Sequence, residues 1–293
     1  MNYRHAFHAG NFADVIKHAV LVRILLHLRR KPAAFRVIDT HAGAGLYDLA
    51  GPEAVRSGEW RGGIGRLVDA SLDVHARELL APYLEAVAAC NDADGLTTYP
   101  GSPALIRAFL RSQDRLIACE REPTAAAALA RHLVGDRRSK AIALDGWTAL
   151  NAYLPPKERR GLVLIDPPFE EAADFPRLAR SLAVAHRKWA SGGYLVWYPL
   201  KDRADGDKLS RRLQDGGIGK ILRVEFGVGD GSVDLRTRPD GTESVRLTSC
   251  GLIVINPPWT LANELRIMLP ALAGALTRRG GGLHRLDWIA GEN

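Results

Sequence analysis

Residues 162–169 read LVLIDPPF, and the way this stretch must end decides the fold. Four aliphatic residues in a row suit a strand buried on both faces, of the kind that fills the middle of a parallel sheet. Proline has no N–H for the ladder of a central strand, so the strand stops at Asp166 and leaves a carboxylate at the end of the sheet. A near copy, LIVINPPW, occupies residues 252–259 with Asn256 in place of the aspartate. Both sites, one or neither could be chemical.

Working outward, residues 11–30 have the pattern of a helix, with Asn11 as N-cap, apolar residues at Val15, Ile16, Ala19, Val20, Ile24 and Leu28, and a stop at Pro32. Strands are expected at 35–39, running into the glycine turn of HAGAG, and at 115–120, 140–145, 162–166, 192–200, 220–228 and 248–258. Helical patterns at 124–134, 147–153, 174–190 and 207–215 separate most of them. This alternation predicts an α/β fold with a seven-stranded, mostly parallel, doubly wound sheet. The last two strands have only a polar linker between them, so they are expected to be antiparallel neighbours joined by a mobile loop. Residues 48–98 break the rhythm with Gly62, Gly63, Gly65 and a helical pattern over 71–91, and are read as an inserted helical subdomain. The main domain would then be 1–47 together with 99–293.

At 293 residues the chain is long enough to bury a core without staples. Three widely spaced cysteines, Cys90, Cys119 and Cys250, form no CxxC pair and fit a reducing compartment. The N-terminal segment has no apolar signal core and no apolar run reaches membrane-spanning length, which points to a soluble cytoplasmic protein. Forty Lys and Arg against 33 Asp and Glu give a net charge of +7 and a sequence pI near 9.5. Basic clusters at 29–31, 137–140, 157–160, 211–212 and 278–279 could screen phosphates if the fold gathers them, or could simply be solvated.

Ligands of such sheets collect outside the carboxyl ends of the strands. Those ends are Asp39-Thr40-His41-Ala42-Gly43-Ala44-Gly45, then Glu120, then Asp145-Gly146, then Asp166-Pro167-Pro168-Phe169. Glycines let a backbone approach a ligand closely, and an acid at the second strand can accept hydrogen bonds from a ribose diol. Asp145-Gly146 would suit an adenine amino group. A dinucleotide site is disfavoured, because GxGxxG spacing is absent and no acid follows about 20 residues later. An acid, two prolines and an aromatic fit a planar amino group: the carboxylate and a backbone carbonyl accept its hydrogens while the ring stacks. The NPPW copy, on the last strand, is expected to end that strand and to pack the C-terminal segment through Asn256 and Trp259. HxxH at His5 and His8 lacks further ligands at metal-binding spacing, so no metal is expected. Lys17, taken alone, could be a solvated helix residue.

With these residues placed, the sequence resembles the RlmJ family of 23S rRNA adenine-N6 methyltransferases, within the Rossmann-like class I fold that uses S-adenosylmethionine. The resemblance spans nearly the whole chain, through YRHAFHAGNFADVIKH, DTHAGAG, YPGSP, LIDPPFE, LVWYP and INPPW. It implies that His18, His41, Gly43, Ser102, Glu120, Asp145, Gly146 and Asp166 bind the cofactor, and that Asp166 is also the catalytic acceptor. Tyr3, His5, Lys17, Pro167 and Phe169 would handle the substrate, 23S rRNA, with the protein acting as a monomer. Two departures from the family pattern stand out: Phe169 where tyrosine is common, and EREP at 120–123. The rival readings are a DNA adenine-N6 or protein-amide methyltransferase, which could use the same strand ends, and a noncatalytic RNA-binding relic of the fold. A relic would be expected to have lost the acids or glycines, and they are present.

Overall fold

The computed structural model describes residues 4–93, 95–171, 173–229, 235–237, 243–245, 247–277 and 282–291. Helix α1 (Phe12–Arg29) begins where the Asn11 side chain accepts the N–H groups of Ala13 and Asp14. Strand β1 (Arg36–Asp39) follows. The short antiparallel pair β2 (Leu46–Asp48) and β3 (Thr98–Pro100) then brackets α2 (Pro52–Ser57), α3 (Ile64–Val68) and α4 (Val74–Ala88). From there helix and strand alternate: α5 (Ser102–Phe109), β4 (Arg115–Glu120), α6 (Pro123–Leu133), β5 (Ser139–Ala143), α7 (Gly146–Ala152), β6 (Gly161–Ile165), α8 (Asp174–Lys188), β7 (Gly193–Pro199), α9 (Arg203–Asp215) and β8 (Ile221–Gly227). A small antiparallel pair, β9 (Leu235–Thr237) with β10 (Glu243–Val245), lies within the polar linker, whose remainder is mostly outside the described residues. The chain closes with β11 (Ser249–Ile255), α10 (Leu261–Leu276) and β12 (Leu283–Ala290).

The main sheet has eight strands in the order β12-β8-β11-β7-β6-β1-β4-β5. Strands β7, β6, β1, β4 and β5 run parallel, and β11 lies antiparallel between β7 and β8, as the helix-free linker requires. The expected count of seven is corrected by β12, which adds antiparallel to β8 at the edge. Its sequence, LHRLDWIA, is mixed in polarity and no residue of it is fully buried, so it lacks the aliphatic run that marks the inner strands.

Strand β6 is buried at all five positions. Leu162 and Leu164 face a core shared with α1, α4, α5 and α10, while Val163 and Ile165 face a second core with α8 and α9. This is the period-two alternation of a strand covered on both sides. Residues from the 48–98 segment, including Ile64, Leu80 and Tyr83, belong to the first of these cores, alongside α1. The order of strands reverses at β1, with β4 and β5 on one side and β6 onward on the other. The carboxyl ends of β1 and β6 therefore flank the crevice where such folds bind ligands.

Candidate active site

Strand β1 ends on Asp39 and β6 is followed at once by Asp166, so the topology alone brings two carboxyls to the crevice. Helix α1 supplies the charge that makes this tolerable. Lys17 is 4% exposed, and its Nζ donates to Asp14 Oδ1 at 2.8 Å and to Asp166 Oδ2 at 2.5 Å. Burial alone would drag the ammonium's pKa down, but Asp14 and Asp166 overcome it and hold the pKa well above the ordinary lysine value. Asp14 itself is buried, which favours its neutral form, yet Lys17, His5 and His18 keep it well below the usual carboxylate range. It also accepts from the Gly10 N–H at 2.9 Å and is bridged to His5 Nε2 at 3.0 Å. Lys17 is thus no solvated helix residue. It is the buried cation of an Asp14–Lys17–Asp166 triad whose net charge is −1.

Neighbouring groups leave that charge intact. Burial, reinforced by Lys17, keeps His18 well below the ordinary imidazole value. His18 Nδ1 lies 2.7 Å from the Tyr99 hydroxyl, which in turn meets Tyr83, while its Nε2 is buried 3.9 Å from Asp14 Oδ1 with no hydrogen-bond partner among the described residues. Burial pushes His41 down to about 4, against the pull of Asp166 and Asp145. Both imidazoles are neutral at pH near 7. Burial pushes the Asp39 carboxyl up to about 7, although the Ser102 hydroxyl donates to Oδ2 at 2.6 Å. Its other oxygen, Oδ1, is buried without a partner among the described residues.

The glycine turn after β1 is braced from two sides. Glu120, at the end of β4, accepts the Gly43 N–H at 2.8 Å through one oxygen and the Glu122 N–H at 2.8 Å through the other. Gly43 has φ 64, and a Cβ there would lie 2.1 Å from the Tyr47 hydroxyl, so only glycine fits the turn. Asp145 caps α7 by accepting from Thr148 N, with Arg121 and Arg177 3.6 and 4.0 Å from its carboxylate. Gly146 lies against His41 so closely that a Cβ would stand 2.6 Å from the ring and 2.3 Å from the Thr40 carbonyl. Beyond Asp166, Pro167 is buried and Phe169 adopts φ 49, with its ring 4.9 Å from Phe175 and 5.9 Å from Trp197.

A model of the family described as ribosomal RNA large subunit methyltransferase D, RlmJ, matches residues 32–290. The chain belongs to the RlmJ family. It is 38% identical, over the full length of both chains, to a ribosomal RNA large subunit methyltransferase J of Haemophilus influenzae, and 38% identical to its namesake from Escherichia coli, again with full coverage of both. A crystal structure of a Legionella pneumophila protein superposes with a TM-score of 0.83 at 33% identity, covering 96% of this chain and 98% of that one. Family membership therefore rests on matches that run the length of the fold.

The residues expected from the RlmJ resemblance are brought together, apart from Tyr3. His5, Lys17 and His18 on the N-terminal segment, and His41, Gly43, Ser102, Glu120, Asp145, Gly146, Asp166, Pro167 and Phe169, all sit at or above the carboxyl ends of the parallel strands. Tyr3 lies outside the described residues. Three participants went unread as site residues. Asp14 was visible only as an acid in the first helical turn, and the Asp-x-x-Lys spacing that pairs it with Lys17 was the available signal. Tyr47 lies only four residues past Gly43, but nothing in its type or spacing marks it as folding back on the turn, and the contact of Trp197 with Phe169 joins two different strand ends. Among the described residues no group of three or more His, Cys, Asp or Glu is placed to hold a metal, and no helix is long and apolar enough to cross a membrane.

The near copy behaves differently. Asn256 has φ 51 and its side-chain amide donates to the carbonyls of Ala190 and Gly192, both at 2.8 Å, so it closes the end of β11 as expected. Trp259 does not pack the C-terminal segment. It is 68% exposed, with the Arg30 guanidinium 5.6 Å from its ring centroid, because α10 starts two residues later and turns the indole outward.

Proposed function

We propose that this protein methylates the N6 amino group of one adenine in 23S rRNA, with S-adenosylmethionine as donor. The observation that carries the reading is the Asp166 carboxylate at the end of β6, anchored through Oδ2 by Lys17 and followed by Pro167, Pro168 and the half-buried ring of Phe169. Anchoring one oxygen leaves Oδ1 to accept a hydrogen of the incoming amine, and the Pro167 carbonyl can accept the other. Phe169 would stack on the base. Nitrogen gains positive charge as it is alkylated, and a triad of net charge −1 beside two neutral imidazoles favours that charge. A stacked or paired adenine would have to leave its stack to reach this crevice.

The residues present fit the cofactor. Asp39 Oδ1 and His18 Nε2 are buried polar atoms with no hydrogen bond among the described residues, the Gly43 turn brings backbone to the crevice, and Gly146 packs so closely on His41 and the Thr40 carbonyl that no side chain intrudes there. When bound, S-adenosylmethionine supplies an electrophilic methyl group on a sulfonium. We assign its binding to His18, His41, Gly43, Ser102, Glu120, Asp145, Gly146 and Asp166, and substrate handling to Tyr3, His5, Lys17, Pro167 and Phe169. Residues 48–98 would serve as an inserted helical subdomain that shares the core of α1, in a monomer that works where ribosomal RNA is, in the cytoplasm.

The test is to incubate the protein with methyl-labelled donor and unmodified 23S rRNA, and to digest the product to nucleosides. Label in N6-methyladenosine at a single position is expected. Label in another nucleoside, or transfer only to DNA or protein, would overturn the assignment.

A further inference from the structure

The carboxyl-end crevice uses one pole of the sheet, and the opposite pole carries the largest exposed aromatic side chain among the described residues, Trp259 at 68% exposure. Strand β11 runs antiparallel to β7, so its end delivers NPPW beside the start of the parallel strands, far from Asp166. There it meets the end of α1. Arg29, Arg30 and Lys31 are all exposed, and Arg30 lies over the indole.

These three cations are not needed to cap the helix. Arg111 donates to the carbonyls of Arg29 at 3.3 Å, Lys31 at 2.8 Å and Ala33 at 3.1 Å. Arg160 donates to Ala33 O at 2.9 Å and also to Leu28 O. The nearby carboxylates are already committed: Asp114 to Arg111, Glu158 to Arg36 and Glu264 to Arg23. No carboxylate of the described residues pairs with Arg29, Arg30 or Lys31. The field they make is felt locally. Burial first, then Arg30 and Arg160, lower the pKa of His27, and burial followed by Arg111 lowers that of Arg160. An anion laid across this pole would relieve the mutual repulsion.

We propose that this pole is a second RNA-contact surface, where Trp259 stacks on an unpaired base and Arg29, Arg30 and Lys31 hold the flanking phosphates. The inference rests on RNA as the substrate. An exposed aromatic face flanked by unpaired cations is the arrangement that binds single-stranded nucleic acid without reading its sequence. The partner is a strand of the same RNA outside the segment that carries the target base, because the two poles are separated by the length of the parallel strands. The surface adds affinity and orients the RNA, while the chemistry stays at Asp166.

The experiment measures retention of an unmodified 23S rRNA transcript by the full-length protein over a range of KCl concentrations. Trp259→Ala is expected to weaken binding about tenfold, and Trp259→Tyr, which keeps a stacking face, to restore most of it. Arg29→Ala/Arg30→Ala/Lys31→Ala is expected to lower the slope of log affinity against log salt by about 2. Arg211→Ala/Arg212→Ala, on the exposed face of α9, removes comparable charge elsewhere and is expected to leave the slope nearly unchanged. Methyl-donor affinity, read by calorimetry, stays constant in all four. Unchanged RNA binding in the Trp259 and triple variants, or an equal loss in the α9 control, overturns the proposal. Binding is read without methyl transfer, so a product other than N6-methyladenosine would refute the proposed reaction and leave this comparison standing.

Discussion

Asp166–Phe169 and Asn256–Trp259 differ in two residues out of four, yet they serve opposite poles of one sheet. At the first, strand β6 runs parallel to β1 and places Asp166 beside a lysine buried in α1. At the second, β11 runs antiparallel, and Asn256 spends its amide on two backbone carbonyls of the turn before β7. One residue type explains much of the contrast: a carboxylate could not donate to those carbonyls, and an amide could not balance Lys17. The wider surroundings follow suit. Asp14, Asp39, Glu120, Asp145 and Asp166 gather at the pole of the glycine turn, whereas Arg29, Arg30, Lys31, Arg111 and Arg160 gather at the other. The Pro-Pro turn is a way to stop a strand, and strand direction decides at which pole of the sheet the residue before it stands.

The contrast is broken most severely by removing Lys17, the cation buried between two carboxylates at the acidic pole. Lys17→Met leaves Asp14 buried and Asp166 partly buried without their shared partner, and is expected to lower unfolding stability by about 3–5 kcal/mol in urea titrations. The additional change Asp14→Asn should recover part of that loss. A Lys17→Met protein within about 1 kcal/mol of the parent would mean that the triad does not hold this pole together.

Next in size is the comparison of the two strand ends themselves. Asp166→Asn keeps size and one acceptor oxygen but can turn an N–H toward both Lys17 and the target amine. Single-turnover methyl transfer is expected to fall by about 100–1,000-fold, with donor affinity changed by less than about tenfold, or about 1.4 kcal/mol. Asn256→Ala is expected to keep transfer nearly intact while losing about 1–2 kcal/mol of stability, from two hydrogen bonds and from a left-handed backbone that asparagine tolerates better than alanine. Equal losses of transfer in the two folded variants would erase the distinction.

Much of the acidic pole was legible because its information is local. A proline pair ends a strand, glycines make a turn, and an acid at each strand end needs no knowledge of distant segments. What joins them is not local. The pairing of Lys17 with Asp166 spans 149 residues, and a buried lysine in a helix reads in sequence like any solvated one. Helix α10 hid because Pro270 interrupts its pattern, and edge strand β12 because only part of it is covered. Trp259 was misplaced for a related reason: a tryptophan after a core strand is ordinarily packed, and its exposure follows from where α10 begins.

The smallest expected effect concerns the most deeply sealed carboxyl of the acidic pole. Asp39 is fully buried at the end of β1, and burial pushes its pKa up to about 7 in spite of the Ser102 hydroxyl. In the unfolded chain the same group titrates near 4, so the folded protein binds the extra proton more tightly. The sign follows from that difference. The contribution of Asp39 to stability is full below the unfolded value and is lost as pH rises through about 7, with roughly 1 kcal/mol disappearing between about pH 6 and about pH 7. Asp39→Asn removes the titration while preserving an acceptor for Ser102. In the protein without donor, the stability of Asp39→Asn relative to the parent should therefore rise across that interval, as read from denaturant midpoints at each pH. No comparable trend is expected for Asn256→Ala, because nothing at its strand end is a sealed acid. A pH-independent difference for Asp39→Asn would show that Asp39 is already ionised in the fold, with Lys17 compensating it as well as Asp14 and Asp166. The acidic pole would then be charged throughout, instead of a −1 site beside a carboxyl that burial keeps partly protonated.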